Sequence, residues 1–299
     1  MEIRSRIAPT PSGYLHFGNI FSFVITWLYT RKQNGKLLLR IDDLDKLRIK
    51  QKYIDDIFAT LNWLEIDYDE GPSNTTDFLQ NYSQHLRLDL YNNFLRQLKS
   101  KELLFACQCS RKKIKKKSKD GLYPGTCLHA RYSFGNLNTA WRLKSYSNNF
   151  IKFSDSILGE VSIDLKRNTR NPIMKRKDGL AAYQIATLTD DLHFKINTIV
   201  RGKDLLNSTA IQIYLANCLQ KKPFKENTFL HHRLIKNQHN QKISKSKQAS
   251  PVHLWREKKD GKIKLLQQIA VLLNVEASEI SNLNDLLLHF KIENIHNLG

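Results

Sequence analysis

Residues 3 to 19 read Ile3-Arg-Ser-Arg6-Ile-Ala-Pro9-Thr-Pro11-Ser-Gly13-Tyr-Leu-His16-Phe-Gly18-Asn19. Ile3 to Ala8 is short and partly apolar, as a strand is. Pro9, Pro11 and Gly13 then punctuate the chain, and from Ile20 to Arg31 apolar residues recur at helical spacing. A glycine lets backbone approach a ligand closely, and a helix start offers unpaired N–H groups to a phosphate. His16, just before that helix, can donate to phosphate oxygens. A plain strand-to-helix turn carrying a surface histidine would read the same way.

Gly35 stops the helix, and Lys36 to Ile41 is a compact apolar run bounded by Gly and Asp, hence a buried strand. Tyr53 to Leu64 and Leu86 to Leu98 return to helical spacing. This alternation predicts an α/β fold with a parallel, doubly wound sheet. From 105 to 170 the texture changes to clustered cysteines, a basic run and short alternating stretches such as Ala140 to Leu143 and Ile151 to Phe153. Alternation resumes with Asp178 to Leu188, Ile196 to Arg201 and the helix Ser208 to Leu219. The expected organisation is residues 1–104 and 171–235 as two halves of a nucleotide-binding domain, with 105–170 inserted between them. Residues 236–299 then form a polar loop and a helical tail with Ile263, Leu266, Ile269, Ala270 and Leu273 on one face. There is no internal repeat. Lys236 to Ser250 is too polar for a core and includes Lys242-Ile-Ser-Lys245-Ser, two lysines flanking a serine.

The 299 residues include 48 Lys+Arg against 28 Asp+Glu, a net charge of +20. A surplus of that size points to a polyanionic partner, nucleic acid before an anionic membrane surface, although an AT-rich genome also raises the Lys content. The opening is polar and proline-broken, unlike a secretory signal, and Phe21 to Tyr29 is far shorter than the ~20 apolar residues of a membrane span. A cytoplasmic protein is expected, with no membrane association and no obligate protein partner. Three of the four cysteines fall between Cys107 and Cys127, which in a reducing compartment argues for metal rather than disulfide. Thiolates at this density suit tetrahedral zinc. On spacing alone His129 is one candidate fourth ligand, and buried unliganded cysteines are the plainer alternative.

The His16-x-Gly18-x element and the Lys242-x-Ser-Lys245-Ser loop, in this order and about 225 residues apart, resemble the two signatures of class I aminoacyl-tRNA synthetases. Arg6-Ile-Ala-Pro-Thr-Pro-Ser-Gly, Leu39-Arg40-Ile41-Asp42-Asp43-Leu44-Asp45 and Trp63-Leu-Glu-Ile-Asp-Tyr-Asp-Glu-Gly-Pro72 narrow the resemblance to the glutamyl branch. Asp178-Gly-Leu-Ala-Ala-Tyr183-Gln and Val200-Arg201-Gly-Lys-Asp204-Leu continue it. The short stretch after the lysine loop has no room for an anticodon-reading module. The chain is therefore most similar to the glutamyl-queuosine tRNA(Asp) synthetases, a truncated branch; Asn19 in place of a second histidine suits that branch too.

The resemblance implies a Rossmann-like catalytic domain that activates L-glutamate with ATP and Mg2+ and transfers it to queuosine in the anticodon loop of tRNA(Asp). The alternatives are charging the acceptor end of tRNA(Glu), or tRNA binding without catalysis. It implies catalytic roles for His16, Lys242 and Lys245, with His16, Gly18 and Lys245 on ATP. Arg6, Ile7, Ala8, Pro9, Thr10, Asp42, Tyr183 and Arg201 would bind glutamate: Arg201 pairing with a carboxylate, Tyr183 hydrogen-bonding the amino acid, and Asp42 holding the ammonium. The family usually has glutamate at the position of Asp42, one methylene longer. The pattern Cys107-x-Cys109…Tyr123-x-x-x-Cys127 resembles that branch's zinc element, which implies one structural Zn2+ per chain with Tyr123 as fourth ligand. The basic run Arg111 to Lys119 is either a solvated loop or a grip on phosphates.

Overall fold

A computed structural model describes residues 2–144, 150–235 and 251–298. In chain order, β1 (Arg4–Ile7), α1 (Phe17–Lys32), β2 (Lys36–Leu39) and α2 (Gln51–Leu64) come first. There follow α3 (Leu88–Ser100), β3 (Leu104–Cys107), α4 (Arg111–Lys117), β4 (Ala140–Leu143), β5 (Phe150–Asp155), β6 (Gly159–Asp164) and β7 (Ile173–Lys175). Next are α5 (Tyr183–His193), β8 (Thr198–Gly202), α6 (Leu206–Cys218) and β9 (Thr228–His232), and last α7 (Gly261–Leu272) and α8 (Leu283–His289).

The expected parallel architecture is present as two parallel pairs. β1 runs beside β2, Arg4 opposite Lys36 and Ile7 opposite Leu39, and β8 runs beside β9, Thr198 opposite Thr228. The pairs adjoin along β1 and β8, where the Asn197 N–H donates to the Arg4 carbonyl at 3.0 Å and the Ser5 hydroxyl to the Thr198 carbonyl at 2.9 Å. β3, β4 and β7 form a separate antiparallel sheet, and β5–β6 is a hairpin whose turn reaches β9. There the Ser156 N–H donates to the Phe229 carbonyl at 2.8 Å.

α1 is buried from Ile20 to Thr30 with almost no break, so it is a central helix rather than an amphipathic one. Its outer side is covered by the C-terminal helices: Leu265, Leu266, Ile269, Leu283, Leu286 and Phe290 share one apolar core with β1, β2 and α1. Of the tail face expected from spacing, Leu266, Ile269, Ala270 and Leu273 are buried. Ile263 is not: it is 36% exposed. It sits in the first turn of α7, and Leu265 takes the core position instead. Among the described residues no helix is long and apolar enough to cross a membrane.

Candidate active site

The carboxyl ends of β8 and β9 meet the amino end of α1 around a cavity of about 260 Å³, lined by His16, Gly18, Asn19, Arg201, Gly202 and His232 among others. Open α/β sheets place ligands at this edge because the strands end there and helices begin. Local chemistry builds the rim. The Asn19 side-chain oxygen accepts the His16 N–H at 3.0 Å, so the small polar residue at 19 caps α1. A Cβ on Gly18 would come within 3.2 Å of the His16 ring, and one on Gly202 within 2.7 Å of an Asp204 carboxylate oxygen. Bare backbone at both positions keeps the rim open.

A buried ion network adjoins Arg201, through Arg6 and Asp191. Arg6 Nε is 3.0 Å from Asp191 Oδ1, and Arg40 Nη1 is 2.6 Å from the same oxygen. Arg40 also grips Asp42 with two hydrogen bonds, Nε to Oδ1 at 2.7 Å and Nη2 to Oδ2 at 3.1 Å. Arg87 grips Asp190 in the same forked manner, at 2.9 and 3.2 Å. The Tyr91 hydroxyl and the Gln84 amide complete the Asp190 shell, each at 2.8 Å. Adjacent residues on a helix point about 100° apart, which lets Asp190 face α3 while Asp191 faces the strands. Burial pushes the Asp191 carboxyl up, but Arg6, Arg40 and Arg201 outweigh it and hold it below the usual range. At Asp42 burial wins over Arg40, with Asp190 and Asp191 adding to it, and the carboxyl lies above the usual range.

Asp42 and Asp43 separate cleanly. β2 has ended at Leu39, and the Asp42 N–H is tied to the Pro9 carbonyl at 2.9 Å. Asp42 turns to Arg40. Asp43 accepts from the Ser83 hydroxyl at 2.6 Å and from the Gln84 N–H at 2.8 Å, fastening the turn before α3.

Arg201, at the end of β8, is 4% exposed and differs from the other three arginines. Its Nη2 donates to Thr209 Oγ1 at 2.5 Å and to Gln212 Oε1 at 2.9 Å, and its Nε faces His231 Nε2 at 3.3 Å. All three partners are uncharged acceptors. Nη1 is buried with no hydrogen-bond partner among the described residues. Exposed Tyr183 lies beside the guanidinium; burial lowers the Arg201 pKa, outweighing the opposing pull of Tyr183 and the more distant Asp191.

Of the expected site residues, His16, Gly18 and Arg201 line the cavity, Tyr183 stands beside Arg201, and Arg6 and Asp42 belong to the buried ion network. Ile7 is different: its side chain is in the core, so only its main chain is available to a ligand. Pro9 is buried and Thr10 exposed on the loop between β1 and α1, with Ala8 between the two extremes. Lys242 and Lys245 lie outside the described residues. The described residues that flank them are at the site: Ile235 lines the cavity, and the Val252 N–H donates to the Leu15 carbonyl at 2.8 Å. Composition and spacing missed Arg40, Arg87, Asp190 and Asp191. The signal was there, in a carboxylate doublet within the apolar run Ile185 to Leu192.

The sulfurs of Cys107, Cys109 and Cys127 lie within 4.8 Å of one another, and those of Cys109 and Cys127 are 3.5 Å apart. Tetrahedral thiolates at ~2.3 Å from zinc would have edges of about 3.8 Å, so the donor set fits such an ion. The Tyr123 oxygen joins them, 3.5 Å from Cys107 Sγ and accepting the Cys127 N–H at 2.7 Å. His129 is exposed and outside the cluster. Burial and the neighbouring thiols push Cys109 up to about 11. Beside the cluster α4 is an ordered helix with no buried residue. Ser110 caps it through the Lys113 N–H at 3.2 Å, and Ile114 anchors it on the cysteines.

The family model for the catalytic domain of class I tRNA synthetases (E and Q) matches residues 2–294. The chain belongs to this family. A glutamate–tRNA ligase of Buchnera aphidicola subsp. Acyrthosiphon pisum is 34% identical over 83% of this chain and 52% of that protein. Glutamate–tRNA ligase 2 of Syntrophus aciditrophicus is 32% identical over 97% of this chain and 62% of that protein. The chain therefore spans between half and two thirds of these relatives. The crystal structure of the glutamate–tRNA synthetase of Elizabethkingia anophelis superposes with a TM-score of 0.80 at 20% identity, covering 100% of this chain and 68% of that one. A glutamate tRNA ligase from Elizabethkingia meningosepticum, in complex with its amino acid, gives 0.77 at 18%, covering 100% and 66%. At these identities the likeness concerns the fold.

Proposed function

We propose that this chain activates L-glutamate with ATP and Mg2+, forming glutamyl-adenylate, and transfers the glutamyl group to queuosine in the anticodon loop of tRNA(Asp). The observation that carries the first half is Arg201, a buried guanidinium that among the described residues has no carboxylate in hydrogen-bond contact and leaves Nη1 outside its hydrogen bonds to Thr209 and Gln212. Such a cation calls for an anionic ligand, and a carboxylate matches its planar fork. Asp42, held by Arg40 in the adjoining network, is the carboxylate proposed for the ammonium group. In the first step a glutamate carboxylate oxygen attacks the α-phosphorus and pyrophosphate leaves. In the second an acceptor hydroxyl attacks the acyl carbon and AMP leaves. Both steps need positioning and cations rather than a covalent nucleophile, the role proposed for His16, the α1 amino end, Lys242 and Lys245.

The choice of acceptor rests on the Cys107, Cys109, Tyr123 and Cys127 set, which resembles the queuosine-specific branch and would hold one structural Zn2+. The names of the curated relatives favour a second reading, the acceptor end of tRNA(Glu). Glutamate-dependent ATP–pyrophosphate exchange without tRNA is expected, followed by transfer of labelled glutamate to queuosine-bearing tRNA(Asp). Transfer to tRNA(Glu) alone, with exchange that requires it, establishes the second reading. No exchange under either condition leaves a tRNA-binding protein without this activity. Metal analysis should find about one zinc per chain. Full occupancy in Cys109→Ser would remove that assignment.

A further inference from the structure

Arg201 owes its lack of a direct carboxylate partner to a second layer of residues that the reaction itself does not call on. His231, on β9, is fully buried, and its Nδ1 is 2.6 Å from Asp155 Oδ2. Its Nε2 is 2.6 Å from Thr209 Oγ1 and 3.3 Å from Arg201 Nε. Asp155, at the end of β5, is itself held: its Oδ1 accepts the N–H groups of Ile157 and Leu158, each at 3.0 Å, and that of His231 at 3.3 Å. The hairpin turn therefore fixes the carboxylate, the carboxylate fixes the imidazole, and the imidazole faces the guanidinium.

The proton positions follow from this geometry. A guanidinium has only donors, so the ring nitrogen facing Arg201 Nε must carry a lone pair. The single ring proton then sits on Nδ1 and is given to Asp155. A protonated ring would set two cations against each other. Burial, with Arg201 and Arg6 nearby, lowers the His231 pKa and keeps the ring neutral. Arg40 shows the alternative, a carboxylate directly on the guanidinium, which spends its charge.

We propose that Asp155 and His231 are positioning residues that lock the Nδ1–H tautomer. The locked ring presents Arg201 with a neutral acceptor and keeps its cation available for the substrate carboxylate. The inference rests on the reading of Arg201 as the carboxylate-binding group. Asp155→Asn keeps shape but puts an amide N–H within reach of Nδ1, which drives the ring proton to Nε2, against Arg201; a carboxylate beside histidine is what fixes the tautomer.

The decisive measurements are steady-state exchange kinetics and a long-range 1H–15N spectrum of His231. In wild type the spectrum should show a protonated Nδ1 and a bare Nε2, and in Asp155→Asn the reverse. Asp155→Asn should raise the glutamate KM about ten-fold or more while leaving the ATP KM unchanged and kcat within a few-fold. His231→Asn should behave likewise. His231→Gln, which keeps an acceptor near the Nε2 position, should recover most of the loss. An Nε2–H tautomer in wild type overturns the proposal whatever the kinetics show. So does equal weakening of glutamate and ATP binding in all three variants, the pattern of a merely structural role. Absence of glutamate-dependent exchange in wild type would instead overturn the functional reading, and the spectrum would still decide the tautomer.

Discussion

Arg40 and Arg201 are both buried and both stand at the carboxyl end of a parallel strand, yet their surroundings are opposite. Arg40 is wrapped by Asp42 and Asp191, with Asp190 at 4.0 Å. Arg201 meets Thr209, Gln212 and His231, and among the described residues no carboxylate pairs with it. An internally balanced cation is part of the scaffold. Arg201 feels Asp191 only from a distance, without a direct carboxylate contact, so burial still costs it desolvation that a ligand carboxylate would offset. The difference sorts four chemically identical side chains into frame and site.

The contrast breaks most visibly at the frame. Arg40→Met strands Asp42 as a buried carboxylate and leaves Asp191 to Arg6 alone, and unfolding in urea should reveal a loss of about 3–5 kcal/mol. A loss under 1 kcal/mol would mean that water or rearrangement replaces Arg40 easily, and the distinction would fail. Next in size is Lys245→Ala, which removes a charge proposed for the ATP phosphates rather than a frame charge. Exchange should fall on the order of 100- to 1000-fold, ~2.7–4 kcal/mol, with the unfolding midpoint unmoved. Exchange at the wild-type rate would show that the lysine motif is only surface.

Arg201→Met is the direct counterpart of the Arg40 change. Taking away a buried charge that has no direct carboxylate partner should leave stability near wild type, yet the glutamate KM should rise about 10- to 150-fold, as for the loss of one charged hydrogen bond. A large stability loss with unchanged KM would place Arg201 in the frame with Arg40. The neighbouring carboxylates divide in the same way, with smaller effects. Asp43→Ala should cost about 0.5–2 kcal/mol of stability through the lost turn cap and leave the glutamate KM alone. Asp42→Ala should raise that KM; the opposite assignment would shift the ammonium site by one residue. The mildest test carries the rule to the surface, where α4 is an unbalanced cationic helix. Reversing Lys115, Lys116 and Lys117 should flatten the dependence of tRNA affinity on salt by roughly 0.9 in logarithmic slope for every phosphate that the helix no longer neutralises. An identical slope would assign the helix to solvent.

Much of this was readable before any fold was known, wherever the signal was local. The strand, loop and helix from Ile3 to Arg31 announce themselves through apolar periodicity and prolines, and β1 and α1 lie close to those bounds. The cysteine set is equally local, because Cys107, Cys109, Tyr123 and Cys127 span one short segment, and the structure gathers their side chains. Periodicity misplaced Ile263, since spacing cannot tell which residue of a first turn meets the core. It also gave no sign that α1 is buried on every side, because the residues that cover its outer side, Leu283, Leu286 and Phe290, lie more than 250 positions away.

The amino-acid sequence by itself determined the opening strand–helix–strand–helix order, the glycines of the rim, the clustering of the thiols and the presence of basic and acidic groups in the right stretches, but not β9 or the helical form of α4. Which charges are spent and which are free was decided only in three dimensions. Arg201 takes its neutral neighbours from Thr209 and Gln212 on the next helix and from His231 on the next strand, and Asp155, 76 positions before His231, secures the last of these. Coulomb energy falls with distance and rises as water is excluded, and neither quantity exists along the chain until the strands lie side by side.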